Sequence, residues 1–448
     1  MIGIIGLILG TVILIVGAYK GFAALSLALA AGTVVVLTNG MDIFQSFSGP
    51  FMTGYVGFFL SFFLIFAASA LYAKIMEETG AAMAIGYKFV DWFGAKRAVL
   101  VVFVTTAVLT YGGISLFVVV FAISPIIMIL FSEANIPRRL AMGPLLAGAA
   151  TFTMKSLPGS PQATNIVPTE FLGTSLNAAP VFGIISAVLM FVGQYAYFKY
   201  EEKKMIAAGE PFTFMEGTDI SKYKVDRSQL PNAFLSFLPM IVVVAMIIVL
   251  SNLSRNGVIA IPVWGIVVMS MLLASLLATV FAWDKVKNYE GGGLRGIINA
   301  GMNGAITAIA APAAVVGFGA LVQQTQAFRD IVNFMLNLDM HPYMMAAFPP
   351  SIIAGITGSS SGGLRISMET LYTYYLASGA DLDMMHRVSA MFAGTLDTLP
   401  HSPGLFLMFG YLGITHKEGY KFVFWGSVMI PTIVGIIMLL AAMGLAPY

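Results

Sequence analysis

Five ionisable residues lie within or beside glycine- and proline-rich interruptions of a very apolar chain: Lys155, Arg365, Glu369, Asp397 and His401. A lone charge at the middle of a bilayer costs roughly 2.5–3.5 kcal/mol on insertion scales, so each is a candidate for function. Lys155 and Arg365 have the charge to pair with an anionic substrate. Glu369 is a candidate proton carrier. Asp397 and His401 stand on the two sides of one interruption, where they could share a proton. Each residue also has a purely structural reading. Arg365 and Glu369 have the i,i+4 spacing of a helical ion pair, Lys155 could only snorkel, and Asp397 with His401 could form a static hydrogen bond.

The interruptions come in two matching pairs. Thr110-Tyr111-Gly112-Gly113 is followed by Ser156-Leu157-Pro158-Gly159-Ser160-Pro161-Gln162. Thr357-Gly358-Ser359-Ser360-Ser361-Gly362-Gly363 is followed by Leu399-Pro400-His401-Ser402-Pro403-Gly404. Broken backbone is tolerated at membrane depth only where protein encloses it or it lines a watery cavity. Matching breaks in two halves point to a substrate site near the midplane. Ser160-Pro161 and Ser402-Pro403 each offer a capping serine with proline at the first helical position. Further half-helices are expected to begin at Ile114 and Leu364. Four helix N-termini would then converge, each with free N–H groups and partial positive charge. Such a site suits a carboxylate. The candidate substrate-binding residues are Thr110, Gly112, Gly113, Ser156, Gly159, Ser160, Gln162, Asn165, Ser359, Ser360, Ser361, Gly362, Gly363 and Ser402, with Thr164 nearby. The plainer alternative is that the glycines serve close helix packing.

The elements that hold these residues follow from bulk composition and charge. The chain has 448 residues, 58% hydrophobic and 10% charged, against about 25% charged in soluble domains. Ile2–Gly17, Ala178–Phe198, Phe234–Leu250, Ile261–Trp283 and Val423–Leu445 approach or exceed the roughly 20 residues needed to cross a bilayer. The fold class is therefore an all-α polytopic membrane protein. Cysteine is absent and the four histidines share no metal-binding spacing. No metal, cofactor or nucleic-acid partner is expected, and a net charge of +2 suggests none. Gly291–Gly296 lacks the Lys-Ser/Thr pair of a phosphate loop and reads as a hinge.

Loop charges orient the chain. Lys96-Arg97, Arg138-Arg139, Lys199, Lys203, Lys204, Lys285, Lys287, Lys417 and Lys421 fall on one side, and only Arg255, Arg329 and Arg387 on the other. The positive-inside rule then places both termini outside. It also makes 98–135 a re-entrant helical hairpin, because both flanks are basic, with an outward counterpart at about 343–378. The halves overlay as inverted-topology repeats, the arrangement of many alternating-access transporters. The expected divisions are scaffold helices 1–50, a first repeat 51–198 with a broken helix at about 139–175, and a cytoplasmic linker 199–230. Scaffold helices 231–290 and a second repeat 291–448, with a broken helix at about 384–415, follow.

At Leu157-Pro158-Gly159-Ser160-Pro161-Gln162, Thr357–Gly363 and Leu396-Asp397-Thr398-Leu399-Pro400-His401 the chain resembles the gluconate permease family, within the wider ion-transporter grouping. It looks most like the branch of 3-hydroxybutyrate permeases. The resemblance implies an inner-membrane symporter for small hydroxy-carboxylates, usually proton-driven, with a dimerising scaffold and a mobile domain working as an elevator. Two positions depart from that branch: Ser402-Pro403-Gly404 stands where an Asn-Gly pair is expected, and Arg365 is unusual after Gly362-Gly363. The functional expectation is proton-coupled symport of a small organic anion by a homodimer in the lipid bilayer. Sodium coupling and a passive anion channel are the alternatives. An intramembrane hydrolase using Ser402 and His401 is disfavoured, because neighbouring loop residues rarely face one another and no third orienting group is evident.

Overall fold

The computed structural model describes residues 2–111, 116–160, 162–215, 227–255, 258–336, 338 and 340–445. Among them every regular element is helical. Six helices are long and apolar enough to cross a membrane, or up to seven if the bent pair Ala81–Phe93 and Ala95–Tyr111 counts as one span. The chain is a polytopic α-helical membrane protein. Its outer faces carry large aliphatic side chains, such as Val181, Ile184, Val188 and Val192 on one helix, as lipid contact requires.

The order of elements is the same in both halves. The first runs through Ile2–Tyr19, Ala24–Thr38, the long Met52–Glu78, the short Ala81–Phe93, the pair Ala98–Tyr111 and Leu116–Glu133, a broken helix Met142–Leu172 and the long Pro180–Ala207. The second runs through Ala233–Arg255, Val263–Phe281, the long Gly293–Gln323, the short Gln326–Leu336, the pair Pro342–Thr357 and Ser360–Ala377, a broken helix Leu382–Leu412 and a final helix from His416 to Leu445. The packing exchanges partners between halves. Ala24–Thr38 packs on Gly293–Gln323 and Val263–Phe281 on Met52–Glu78. Likewise Ala163–Leu172 packs on Ser360–Ala377, and Pro403–Leu412 on Leu116–Glu133.

Two long spans escape a reading by apolar runs: Ile43–Glu78 and Gly293–Gln323. Small residues and the Lys74, Glu77 and Glu78 cluster interrupt their apolar signal. Those small residues let the two helices touch. A Cβ on Gly54 would stand 2.6 Å from the Ala320 Cβ, and one on Gly301 would stand 3.0 Å from the Leu71 Cα. Without lipid-excluded water to drive them together, membrane helices rely on such close backbone approach. At about 1.5 Å per residue, the 14-residue Ala98–Tyr111 rises only about 21 Å, short of the roughly 30 Å hydrocarbon core.

The polar connector is shorter than the span 199–230 suggests, because Pro180–Ala207 stays helical to Ala207. Its described remainder is fastened down. Glu210 pairs with Arg139, the Phe212 N–H donates to Asn135 Oδ1 at 2.9 Å, and Arg227 pairs with Glu133 at 3.1 Å. Arg387, assigned to an outer loop by charge, is instead fully buried. It therefore carries no weight in orienting the chain.

Candidate functional site

Each broken helix exposes carbonyls that a continuous helix would satisfy, and neighbouring side chains take them up. In the first, Thr151 and Thr153 hydroxyls donate back to Ala147 and Gly148 carbonyls at 2.5 and 2.7 Å. Buried Gln194 bridges Thr151 Oγ1 at 3.0 Å and the Gly426 carbonyl at 2.6 Å. In the second, Tyr420 Oη donates to the Thr398 carbonyl at 3.2 Å and His416 Nε2 to the Pro400 carbonyl at 2.9 Å. Both breaks are thus enclosed by protein, as polar backbone in lipid must be.

The helix after each break is ten residues long and ends on a left-handed glycine, Gly173 or Gly413. Its capping residue reaches to the neighbouring hairpin. Gln162 Nε2 donates to the Thr110 carbonyl at 2.7 Å. Ser402 Oγ donates to the Gly358 carbonyl at 3.1 Å. This corrects the serine-cap expectation. The first half-helix is capped at Gln162, not Ser160, and Ser402 occupies a cap position without a side-chain cap bond. The return helix of the second hairpin also begins earlier than expected, at Ser360 and not Leu364, with Ser359 Oγ accepting from the Gly362 N–H. The turn is only Gly358-Ser359. Gly358 is doubly constrained there: its φ is +64°, and a Cβ would stand 3.2 Å from the Ser402 Cα.

These corners face one cavity of about 380 Å³. Its wall includes Gln162 and Ala163 from the first break, Asp397, Thr398, Ser402 and Pro403 from the second, and Ser359 to Gly362 from the second hairpin. Leu116 and Phe117, the first described residues of the first hairpin's return arm, complete that side. Phe58, Phe62 and Val316 of the two long helices close it. Gly112 and Gly113, like Ile114 and Pro161, lie outside the described residues. Buried side-chain atoms without a protein partner occur around the two breaks: Thr110 Oγ1, Ser160 Oγ, Asp397 Oδ1 and Thr398 Oγ1. Buried polar groups are normally satisfied, at about 1–3 kcal/mol each if they are not. Beside the cavity, Asp397 Oδ1 and Thr398 Oγ1 thus keep hydrogen-bonding capacity that no protein group uses.

The ionisable candidates separate sharply. Lys155 Nζ pairs with Asp397 Oδ2 at 2.7 Å, their side chains only 3% and 8% exposed. Asp397 is thus tied to the opposite half of the molecule and not to His401. No ion pair joins Asp397 to His401; the histidine lies instead against the Gly358 turn. Glu369 lies on the outer surface of the protein and not in its interior. It is 53% exposed and pairs with Arg365 at 3.1 Å, and Arg365 also pairs with Glu170 at 3.2 Å. None of these three lines the cavity. Exposed pairs of this kind contribute about 0–1 kcal/mol. Glu369→Gln is therefore expected to change the transport rate by less than about twofold, measured as substrate uptake by proteoliposomes; an abolished proton dependence would reinstate Glu369 as carrier.

Other candidates have structural partners. Asn165 spends its whole amide internally: Nδ2 donates to the Ser160 and Leu176 carbonyls at 2.9 and 3.0 Å, while Oδ1 meets Arg387 Nη1 at 2.9 Å and His386 Nε2 at 3.0 Å. Ser156 is buried against the Pro180–Ala207 helix, its hydroxyl 3.7 Å from the Met190 sulfur. Gly159 holds a φ of +77° in a turn whose N–H donates to the Leu176 carbonyl at 2.9 Å. Thr164 Oγ1 donates to the Met154 carbonyl at 2.7 Å. Gly363 is a packing glycine: a Cβ would stand 2.4 Å from the Ala354 nitrogen.

Two residues with large structural roles, His386 and Arg387, were not singled out by sequence. Arg387 is fully buried, with Nε and Nη2 on the Ala178 carbonyl at 3.2 and 2.8 Å and Nη2 on the Leu176 carbonyl at 3.3 Å. His386 Nδ1 meets Thr174 Oγ1 at 2.7 Å. The available signal was that Arg387 falls near Arg139 when the halves are overlaid.

Comparison with known proteins agrees with this geometry. The family model described as "GntP family permease" matches residues 1–445. A Bacillus subtilis (strain 168) protein described as "Uncharacterized transporter YxjC" is 33% identical over 439 residues, covering 91% of this chain and 92% of its own length. A Haemophilus influenzae protein described as "Uncharacterized transporter" is 21% identical, covering 81% of this chain and 80% of its own length.

Proposed function

The chain belongs to the GntP family of permeases, and from that premise we propose that it is a proton-coupled symporter of a small hydroxy-carboxylate, such as 3-hydroxybutyrate or gluconate. It is a membrane transporter by family; the coupling and the substrate class are our reading. The observation that carries the reading is the cavity at which both breaks and the second hairpin meet. Helix N-termini and the hydroxyls of Ser360, Ser361 and Thr398 offer donors to a carboxylate and to a hydroxyl beside it. The apolar wall of Phe58, Phe62, Phe117 and Leu405 accepts a short carbon chain. At about 380 Å³ the volume falls at the small end of ligand sites, which span about 300–1,000 Å³.

Alternating access follows if the hairpins and broken helices move as one body against the scaffold. The scaffold is assigned to 1–50 and 231–290, the repeats to 51–198 and 291–448, and 199–230 to a cytoplasmic connector. The two halves are taken as inverted repeats in an inner-membrane homodimer with both termini outside. Close glycine contacts between the two long helices, and the exchange of partners between halves, are consistent with a rocking or sliding pair of units.

Reconstitution into proteoliposomes tests the proposal. Labelled 3-hydroxybutyrate and gluconate are offered under imposed proton or sodium gradients, with counterflow as the reference. Saturable counterflow of one of these acids, concentrated by an inward proton gradient, is the expected result. Uptake driven by sodium alone at clamped pH would transfer coupling to sodium. Unsaturable conductance would make the protein a channel.

A further inference from the structure

Asp397 is the one ionisable side chain among the described residues lining the cavity. For a site that receives an anion this is at first sight the wrong sign. Its Oδ2 is held by Lys155 at 2.7 Å, while its Oδ1 is buried and unpartnered. The lysine comes from the first break and the aspartate from the second, so the pair joins the two halves at the wall of the site, where Asp397 belongs to the lining and Lys155 stands next to it. Lys155 reaches Asp397 across Gly394, whose carbonyl lies 3.4 Å from Nζ. A Cβ on Gly394 would stand 1.9 Å from the Lys155 Cδ, so only glycine leaves the passage open.

Charge counting gives this arrangement a consequence. The resting pair is neutral. An anion arriving alone leaves one net negative charge in the chamber and sets two carboxylates against each other, which is costly. An anion arriving with one proton restores neutrality. We infer that Asp397 takes up the coupling proton and releases Lys155 to the carboxylate of the substrate. This rests on the proton-symport reading above and names its coupling residues. The proton comes from the solution on the loading side and binds a carboxylate oxygen of Asp397. Lys155 keeps all its protons and changes partner. On the unloading side the anion leaves, Lys155 returns to Asp397, and the proton is expelled to that solution. No bond other than O–H is made or broken.

The other titratable groups around Asp397 do not compete for the role. His401, on the same break, makes no ion pair with it and lies against the Gly358 turn. Tyr420, from the final helix, faces Asp397 but commits its hydroxyl to the Thr398 carbonyl at 3.2 Å. His416, from the same helix, is committed to the Pro400 carbonyl at 2.9 Å. The Arg365, Glu369 and Glu170 cluster is outside the chamber.

The test uses full-length protein in proteoliposomes with labelled 3-hydroxybutyrate and gluconate. Asp397→Asn is expected to lose at least tenfold of the accumulation driven by a proton gradient, while slower counterflow exchange persists. Asp397→Glu should regain part of the gradient response, which a merely structural carboxylate would not govern. Lys155→Gln should raise the half-saturation concentration at least tenfold. If Asp397→Asn concentrates substrate under a proton gradient as the wild type does, the inference is overturned. Wild-type protein that transports neither acid, or ignores the proton gradient, overturns the symport reading instead. Should Asp397→Asn fail to fold, the wild type still decides. Binding of either acid in weakly buffered detergent solution should draw in close to one proton per anion, read with a pH dye, and binding without proton uptake sinks the assignment.

Discussion

Arg387→Ala is expected to unfold the region around the first break and to abolish transport. The guanidinium is fully buried and donates to Ala178, Leu176 and Asn165. Hydrogen bonds from a charged donor contribute about 1.5–3 kcal/mol each, and a buried acceptor left unmade costs about 1–3 kcal/mol. Leu176 and Asn165 Oδ1 keep other donors, Gly159 N–H and His386. The buried Ala178 carbonyl has no such replacement among the bonds described here. The loss should be about 3 kcal/mol or more, among the larger effects of a single substitution. Arg387→Lys should recover little, because an ammonium lacks the planar fork that addresses several acceptors at once. Thermal unfolding in detergent checks this. A melting temperature lowered by roughly 5 °C or more is expected, together with lost uptake. A variant melting with the wild type would show that the network is dispensable.

The second large effect is expected at Gly363. An alanine there would place its Cβ 2.4 Å from the backbone nitrogen and 2.5 Å from the Cα of Ala354 in the facing arm of the same hairpin. Main chain cannot rotate away as a side chain can. The two arms must separate, shifting the Ser359–Gly362 rim of the cavity. Overpacking typically costs about 1–3 kcal/mol, and misplacing a binding rim by an ångström costs on the order of a hundredfold in rate. Gly363→Ala should therefore reduce uptake at least tenfold and lower the melting temperature. Gly362→Ala is a sharp stability control. Its nearest neighbour is the Ser359 hydroxyl at 3.2 Å, which can yield. Equal destabilisation by the two substitutions would contradict the packing account.

How much of the site was legible beforehand is clear from these residues. Gly362-Gly363 announced a place where backbones meet. It did not reveal that the turn is Gly358-Ser359 and that both glycines already belong to the return helix. The proline after each serine announced a helix start. At the first break the N-cap position is Gln162, two positions further on, and its side chain is turned to the Thr110 carbonyl instead of capping the helix. Asp397 and His401 are close in sequence and invited pairing. The lysine that holds Asp397 comes from a segment more than 200 residues away (the separation is 242), and no local spacing encodes that.

Sequence alone determined that this chain crosses a membrane as helices, and it pointed to two serine–proline segments as the places where helices break. The reason is that lipid offers no hydrogen bonds, so every interruption of a helix must be written into local residue types. Only the tertiary structure decided which charges neutralise each other, which amides are already spent, and which glycines are contacts and which are turns. Those are choices among partners of similar chemistry, and in a folded chain they are made by the distance and direction that packing of one half on the other imposes.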